Sequence, residues 1–403
     1  MVYLCYYIRK WVRFLEEKTK EIQKKNMTRG FRILLVLAII LGAVGTIKYF
    51  QLREFRGYDL KAETELYPNL MGYGAGNDRL LLYSNDGAKA IDNNGKVLWE
   101  TSYQLDNPKI AYCENVAAVA DIGGNMVHVV AENGIPHSYE VNYPIIKHEV
   151  AKQGLTAVLL DNETEDFIQL YDINGVLRVD INTKTKTDGI PIDIALSPDG
   201  KKLVTLYITF QGGNMICKTT FYNADEVGKN YVNNIVGQKT YPENLLAYDI
   251  CFINEETVCV MLENGFALYH MTEIPELICE ETVEETVTEI VCVKNGIYII
   301  KETADKQKRI SFYNEKGIVQ KTWDNVPEYE SISATAKEMV FFSPQKVTVL
   351  RANGTQKFAT AFTQNLEAVL PAGNNRYFLI GAGKVQTISL TGNKNNEEQK
   401  END

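Results

Sequence analysis

The four histidines of this chain (His128, His137, His148 and His270) and its seven cysteines are the side chains whose chemistry would matter most if they converged. Each histidine falls in or beside a predicted strand, at least nine residues from the next. The cysteines (Cys5, Cys113, Cys217, Cys251, Cys259, Cys279, Cys292) include no CxxC pair and no Cys/His group at zinc-ligand spacing. Most lie inside apolar strand patterns and read as small buried hydrophobes. Cys251 and Cys259 differ, because they face each other across a predicted hairpin closed near Asn254 to Glu256, a placement that permits a disulfide.

Carboxylates offer no recognisable site either. Asp92-Asn93-Asn94-Gly95 and Asp199-Gly200 lack the alternating ligands and distal Glu of a calcium loop and read as turns. The denser patch Glu276, Glu280, Glu281, Glu284, Glu285 and Glu289 reads as a solvated outer strand and loop, with a cationic partner or loosely held divalent ions as the alternative. There is no nucleophile elbow, phosphate-cradling glycine loop or HExxH helix. No catalytic, cofactor-binding or metal-binding residue is therefore assigned, and no cofactor is expected.

The elements that would position any site begin after residue 58. From there short runs rich in Val, Ile, Leu, Tyr and Thr alternate with Gly, Asn and Asp turns, an all-β pattern. One hairpin recurs: AIDNNGKVLWE (90–100), VVAENGIPHSY (129–139), LYDINGVLRVD (170–180), FYNEKGIVQKTW (312–323) and VLRANGTQKF (349–358). Four strands per unit, innermost first, start units near Asn69, Asn107, Pro144, Gly189, Asn244, Glu285, Glu328 and Asn365. That spacing fits four-stranded blades and gives an eight-bladed β-propeller over residues 59–392, with seven blades as the alternative. The eighth unit runs out after three strands. The unassigned stretch Asp59 to Tyr67 is expected to fill its outermost place, since a ring closed by strands from both ends has no open edge.

The segment KAIDNNGKVLWET (89–101) resembles the repeat of the quinoprotein-like propellers, and LSPDGKKLVTLY (196–207) resembles the first hairpin of seven-bladed surface-layer-type repeats. Only Trp99 and Trp323 hold the aromatic position of the former. The first resemblance implies the propeller fold. It does not imply quinone chemistry, because the remaining tryptophan, Trp11, precedes the apolar segment and no residue aligns with that family's calcium ligands. An apolar anchor followed by one propeller is also similar to uncharacterised membrane-anchored proteins of anaerobic Gram-positive bacteria.

Residues 1–32 carry nine Lys or Arg and three acids, so they stand at +6 while the whole chain stands at −10 and the rest at −16. An acidic bulk of that size disfavours nucleic acid. Ile33 to Ile47 is uncharged, and residues 33–52 together reach the roughly 20 residues needed to span a bilayer. A cleaved signal peptide is the competing reading. Basic residues upstream predict a cytoplasmic N-terminus and place the C-terminal domain outside. Tyr3 to Leu15 reads as an interfacial basic helix, which a start at Met27 instead of Met1 would remove. Residues 53–58 are a linker and 393–403 a polar tail.

Together these features predict a single-pass membrane protein whose partner is the lipid bilayer through 33–52, with a protein or cell-wall ligand on a propeller face. A noncatalytic binding or scaffold module is the leading expectation and an extracytoplasmic hydrolase or lyase at the channel mouth the second. Sensing through the membrane helix is the third.

Overall fold

The computed structural model describes residues 16–18, 20, 37, 52–76, 78–162, 165–324 and 326–392. Among these no helix is long and apolar enough to cross a membrane. The predicted span 33–52, apart from Leu37 and Leu52, the basic segment Tyr3 to Leu15 and the tail 393–403 lie outside the described residues.

Eight four-stranded antiparallel sheets follow one another along the chain. The first strand of each is Leu70–Gly76, Pro108–Cys113, Ile145–Val150, Ile190–Leu196, Ala247–Phe252, Thr286–Val293, Ser331–Thr335 and Ala368–Pro371, here the inner strands of blades 1 to 8. Each begins within three residues of the start expected from the repeat. Inner strands of successive blades pack against one another, as in blades 1 and 2, 3 and 4, and 7 and 8. The fold is an eight-bladed propeller. Its last blade takes its outermost strand from the other end of the domain, where Gly57–Glu65 pairs antiparallel with Lys384–Thr391. The register places Gly57 opposite Thr391 and Glu65 opposite Lys384.

Hydrophobic clusters sit between blades, which explains why the sheets need neighbours. Leu81, Ala90 and Trp99 of blade 1 pack with Val119 and Val130 of blade 2. Ala118 and Val127 of blade 2 pack with Val158 and Leu160 of blade 3. The cluster of Phe378, Ile380 and Ile388 extends both to Val340 and Phe358 of blade 7 and to Leu80 and Ile91 of blade 1, closing the ring. A single twisted sheet of this kind leaves both faces apolar, and a circular stack buries both.

The recurring Gly turn joins the third and fourth strands of blades 1, 2, 3, 6 and 7. In each, the glycine N–H donates to the carbonyl three residues earlier, from Gly95 to Asp92 at 3.0 Å, Gly134 to Ala131 at 2.9 Å and Gly354 to Arg351 at 2.8 Å. Asp92 Oδ1 also accepts from the N–H groups of Asn94 and Lys96, at 2.8 and 2.9 Å. Gly134 stands at φ 79°, where a side chain is disfavoured, and a Cβ there would meet Trp99 Cβ at 3.0 Å. Every one of these turns lies on an outer-strand residue of the preceding blade: Ala62 under Gly95, Trp99 under Gly134, Tyr139 under Gly175, Cys279 under Gly317 and Trp323 under Gly354. The aromatic position of the repeat is thus an inter-blade socket. Tyr139 fills it as well as the two tryptophans, and smaller residues fill it elsewhere.

Candidate functional site

Five inner strands carry an irregularity at one shared place. The register slips between Leu70 and Gly72, Ile145 and Lys147, Pro191 and Asp193, Ala247 and Asp249, and Val287 and Glu289. A bulge adds one unpaired residue and turns the next side chain to a new direction. The unpaired residues are Met71, Ile146, Ile192, Tyr248 and Thr288, and the first four are exposed although apolar. Tyr73 and Tyr112, also on inner strands, are exposed as well. Tyr112 donates its hydroxyl to the Ala75 carbonyl at 2.5 Å, and its ring lies where Gly74 and Gly76 leave room.

The residues after the bulges in blades 3, 4 and 5 converge. Asp193, buried, pairs with the Lys147 ammonium through Oδ1, which also accepts from the Ile194 N–H at 2.8 Å. Its Oδ2 accepts from the Ile250 N–H at 2.9 Å, a donor shared with Asp249 Oδ1 at 2.8 Å. One carboxylate thereby ties three blades together. Burial pushes the Asp193 carboxyl above the usual range and the Asp249 carboxyl adds to this, while Lys147 pulls it back. Lys147 stays charged because Asp193 outweighs its burial. Glu149, next on the same strand, is pushed up to about 7 by burial, against the pull of Lys147.

His148 points the other way. Its Nε2 lies 3.1 Å from the Ala118 carbonyl, which can only accept, so that nitrogen carries the proton. Burial pushes this imidazole down to about 4, so it is neutral at physiological pH. Beside it a cavity of about 460 Å³ opens between blades 2 and 3, lined by Lys109, Tyr112, Ile146, Lys147 and Glu149 among others.

The remaining histidines stay apart. His128 hydrogen-bonds Ser138 at 2.6 Å and stacks on Tyr103 with ring centroids 5.1 Å apart, and His270 lies 3.9 Å from Glu256. Four of the six glutamates of the acidic patch have local partners. Glu280 pairs with Lys239 and Glu285 with Lys301, both at 3.2 Å, while Glu281 and Glu289 accept from Tyr313 and Tyr329 at 3.0 and 3.2 Å. The disulfide that the hairpin would permit between Cys251 and Cys259 is not formed. Those two are direct register partners, but Cys251 is bonded to Cys292 on the next blade's inner strand, with Cα atoms 6.7 Å apart, and Cys259 is free. Packing between blades brings Cys292 to the same face, and sequence proximity alone favoured the hairpin partner.

The inner-ring cluster was not anticipated. Its signal is a charged residue at one place in consecutive inner strands, in IIKHEV, IPIDIAL and AYDICF, where apolar neighbours make burial of the charge conspicuous.

A profile of the family of unknown function DUF5711 matches residues 51–390. The chain belongs to that family. The DUF5711 match takes in all eight blades and the closing strand. No curated protein matches the sequence. Among solved structures, this DUF5711 chain is similar to the computationally designed Ika8 protein at TM-score 0.53 and 10% identity, covering 83% of this chain and 100% of that one. It is also similar to apo AztD from Citrobacter koseri (TM-score 0.47, 12% identity, 74% and 87% covered) and to the WD40 propeller domain of Doa1 (0.41, 11%, 83% and 97%). At these identities the likeness concerns the fold alone.

Proposed function

We propose that this chain is a membrane-anchored propeller, held outside the cytoplasmic membrane by residues 33–52, that works as a noncatalytic binding or scaffold module for a protein or cell-envelope ligand. The observation that carries the binding role is the set of apolar side chains the bulges leave exposed on the inner strands of blades 1, 3, 4 and 5, Met71, Ile146, Ile192 and Tyr248, with Tyr73 of blade 1 and Tyr112 of blade 2 also exposed on inner strands. Exposed apolar groups gathered in one region support a contact surface, whereas single ones do not. The buried charges beneath act as struts. Asp193 directs its oxygens to Lys147, Ile194 and Ile250, so that carboxylate is engaged in holding the blades together.

A photo-crosslinking residue placed at Ile192 in living cells tests this. The expected result is a discrete adduct that disappears when Tyr112 and Tyr248 are changed to Ser, with none from the same probe at the exposed outer position Ile318. Absence of an adduct at Ile192 overturns the reading. Protease added to intact cells should digest or release the propeller, and a propeller protected until lysis sinks the extracytoplasmic placement.

The second reading is an extracytoplasmic hydrolase or lyase. Glu149 favours it, as a carboxyl pushed up to about 7 beside a cavity suits a general acid. In that case Glu149→Gln abolishes turnover of a cell-envelope substrate while the Ile192 adduct survives.

A further inference from the structure

Three cysteine sulfurs meet at the boundary of blades 5 and 6. Cys251 comes from the inner strand of blade 5, Cys259 from the strand beside it (Thr257–Leu262) and Cys292 from the inner strand of blade 6. Their sulfur atoms all lie within 4.8 Å of one another, and no histidine or carboxylate joins the group among the described residues. Cys259 is fully buried, and Cys251 and Cys292 are partly buried. Ile253, Met261, Ile290 and Ile297 form the apolar surroundings. In the structure two of the three sulfurs are joined, Cys251 to Cys292, and the third thiol faces that bond.

We propose that, once the Cys251–Cys292 bond is reduced, the three cysteines form an all-sulfur site for a soft trivalent metalloid ion, and that the disulfide is the closed form of this site. The donor set excludes hard ions such as calcium, magnesium and manganese, which take oxygen ligands. Three sulfurs, rather than four, do not complete the closed tetrahedron of structural zinc. Charge then decides among soft ions. Three thiolates around a monovalent ion leave two net negative charges, around a divalent ion one, and around a trivalent ion none. Burying net charge in an apolar pocket without a counterion is costly, so the neutral complex is the one these surroundings accept.

The chemistry balances without any further oxidant. A trialkylphosphine takes the disulfide to two thiols, the phosphine becoming its oxide with the oxygen and the two protons drawn from one water. Arsenous acid then exchanges its three As–O bonds for three As–S bonds. Each departing hydroxyl leaves as water with one thiol proton, and arsenic keeps its oxidation state.

The test uses the full chain in detergent, reduced with phosphine, desalted without oxygen and titrated with arsenite alone. One arsenic per chain is expected, with three sulfur neighbours by X-ray absorption, and none for the protein whose disulfide is left intact. Cys259→Ser and, separately, Cys292→Ser should weaken binding by on the order of 100-fold or more, since losing a ligand costs at least as much as losing a group that merely orients one, about 10–100-fold. Cys279→Ser, in the same apolar cluster but outside the triad, should bind as the wild type does. Thermal unfolding of each variant identifies any that has lost its fold. Failure of the reduced, folded wild type to retain arsenic overturns the proposal, as does equal binding by the oxidised protein, a two-sulfur site, or loss of binding in Cys279→Ser.

Discussion

Asp193 accepts hydrogen bonds or an ion pair from three consecutive blades, so its removal is felt at two boundaries at once. Breaking a buried pair by deleting one partner costs about 3–5 kcal/mol, and the partial exposure of Lys147 reduces this to about 2 kcal/mol. Asp193→Ala should lower the unfolding free energy by that amount in a urea titration, and a change below about 0.5 kcal/mol would mean the strut carries no load. Glu149 and His148, adjacent in sequence, oppose each other in pH dependence. Glu149 is raised from 4.5 to about 7, so its folded state holds the proton more tightly; its stabilising contribution is full below pH 4.5 and is lost as pH rises to 7. His148 is lowered from 6.5 to about 4, so its contribution is full above pH 6.5 and is lost as pH falls to 4. Each amounts to roughly 3 kcal/mol at 1.36 kcal/mol per pH unit, and between pH 4.5 and 6.5 the raised carboxyl of Asp193 adds a slope of the same sign as that of Glu149, so the two carboxyls together outweigh the histidine. Glu149→Gln should remove one of the two carboxyl slopes and leave that of Asp193 against that of His148: relative to wild type, the variant gains stability as pH rises from 4.5 to 6.5. Parallel wild-type and variant curves would contradict this. Each of Lys147, Asp193 and Asp249 is visible in the sequence as a charge among apolar neighbours, but their convergence is not, because they belong to three different repeats and meet only when blades stack.

At the scale of the element, the Gly turn and the outer-strand residue beneath it form one mechanical unit repeated around the ring. Gly134→Ala is penalised twice: the backbone at φ 79° resists a side chain, and the new Cβ presses on Trp99. Gly212 has φ 62° and no neighbouring atom within 4 Å of the place a Cβ would take, so Gly212→Ala meets the backbone cost only. Gly134→Ala is therefore expected to destabilise by about 1 kcal/mol more than Gly212→Ala, measured as the difference in denaturation midpoints. These turns were legible because Asp or Asn followed by Gly states its own local geometry. The socket was half legible. Trp99 and Trp323 stood out in the repeat, but Tyr139 and Cys279 occupy equivalent places, and no residue type is common to all of them. The cysteine pairing was illegible for the related reason that the hairpin partner Cys259 lies eight positions from Cys251 and the bonded partner Cys292 lies 41 away on another blade.

For the whole molecule, eight repeats and a strand borrowed from the far end were readable because the last repeat stops one strand short while an unclaimed strand pattern precedes the first. The borrowed strand runs Gly57–Glu65, two residues ahead of the expected Asp59 to Tyr67. Excising residues 57–65 should leave Lys384–Thr391 as a bare edge in blade 8, with self-association visible by light scattering and a lower melting temperature. A monomer with unchanged melting would show that the seal is dispensable. Because Gly57 pairs with Thr391, this seam joins the two most widely separated stretches of the propeller. A chain emerging in order from its N-terminus must keep its earliest strand waiting, unpaired, until the latest one arrives. Entropy makes such a closure late and slow. Any premature stop upstream of Lys384 therefore yields a product whose first strand has no partner, an unfinished wheel with an orphaned edge.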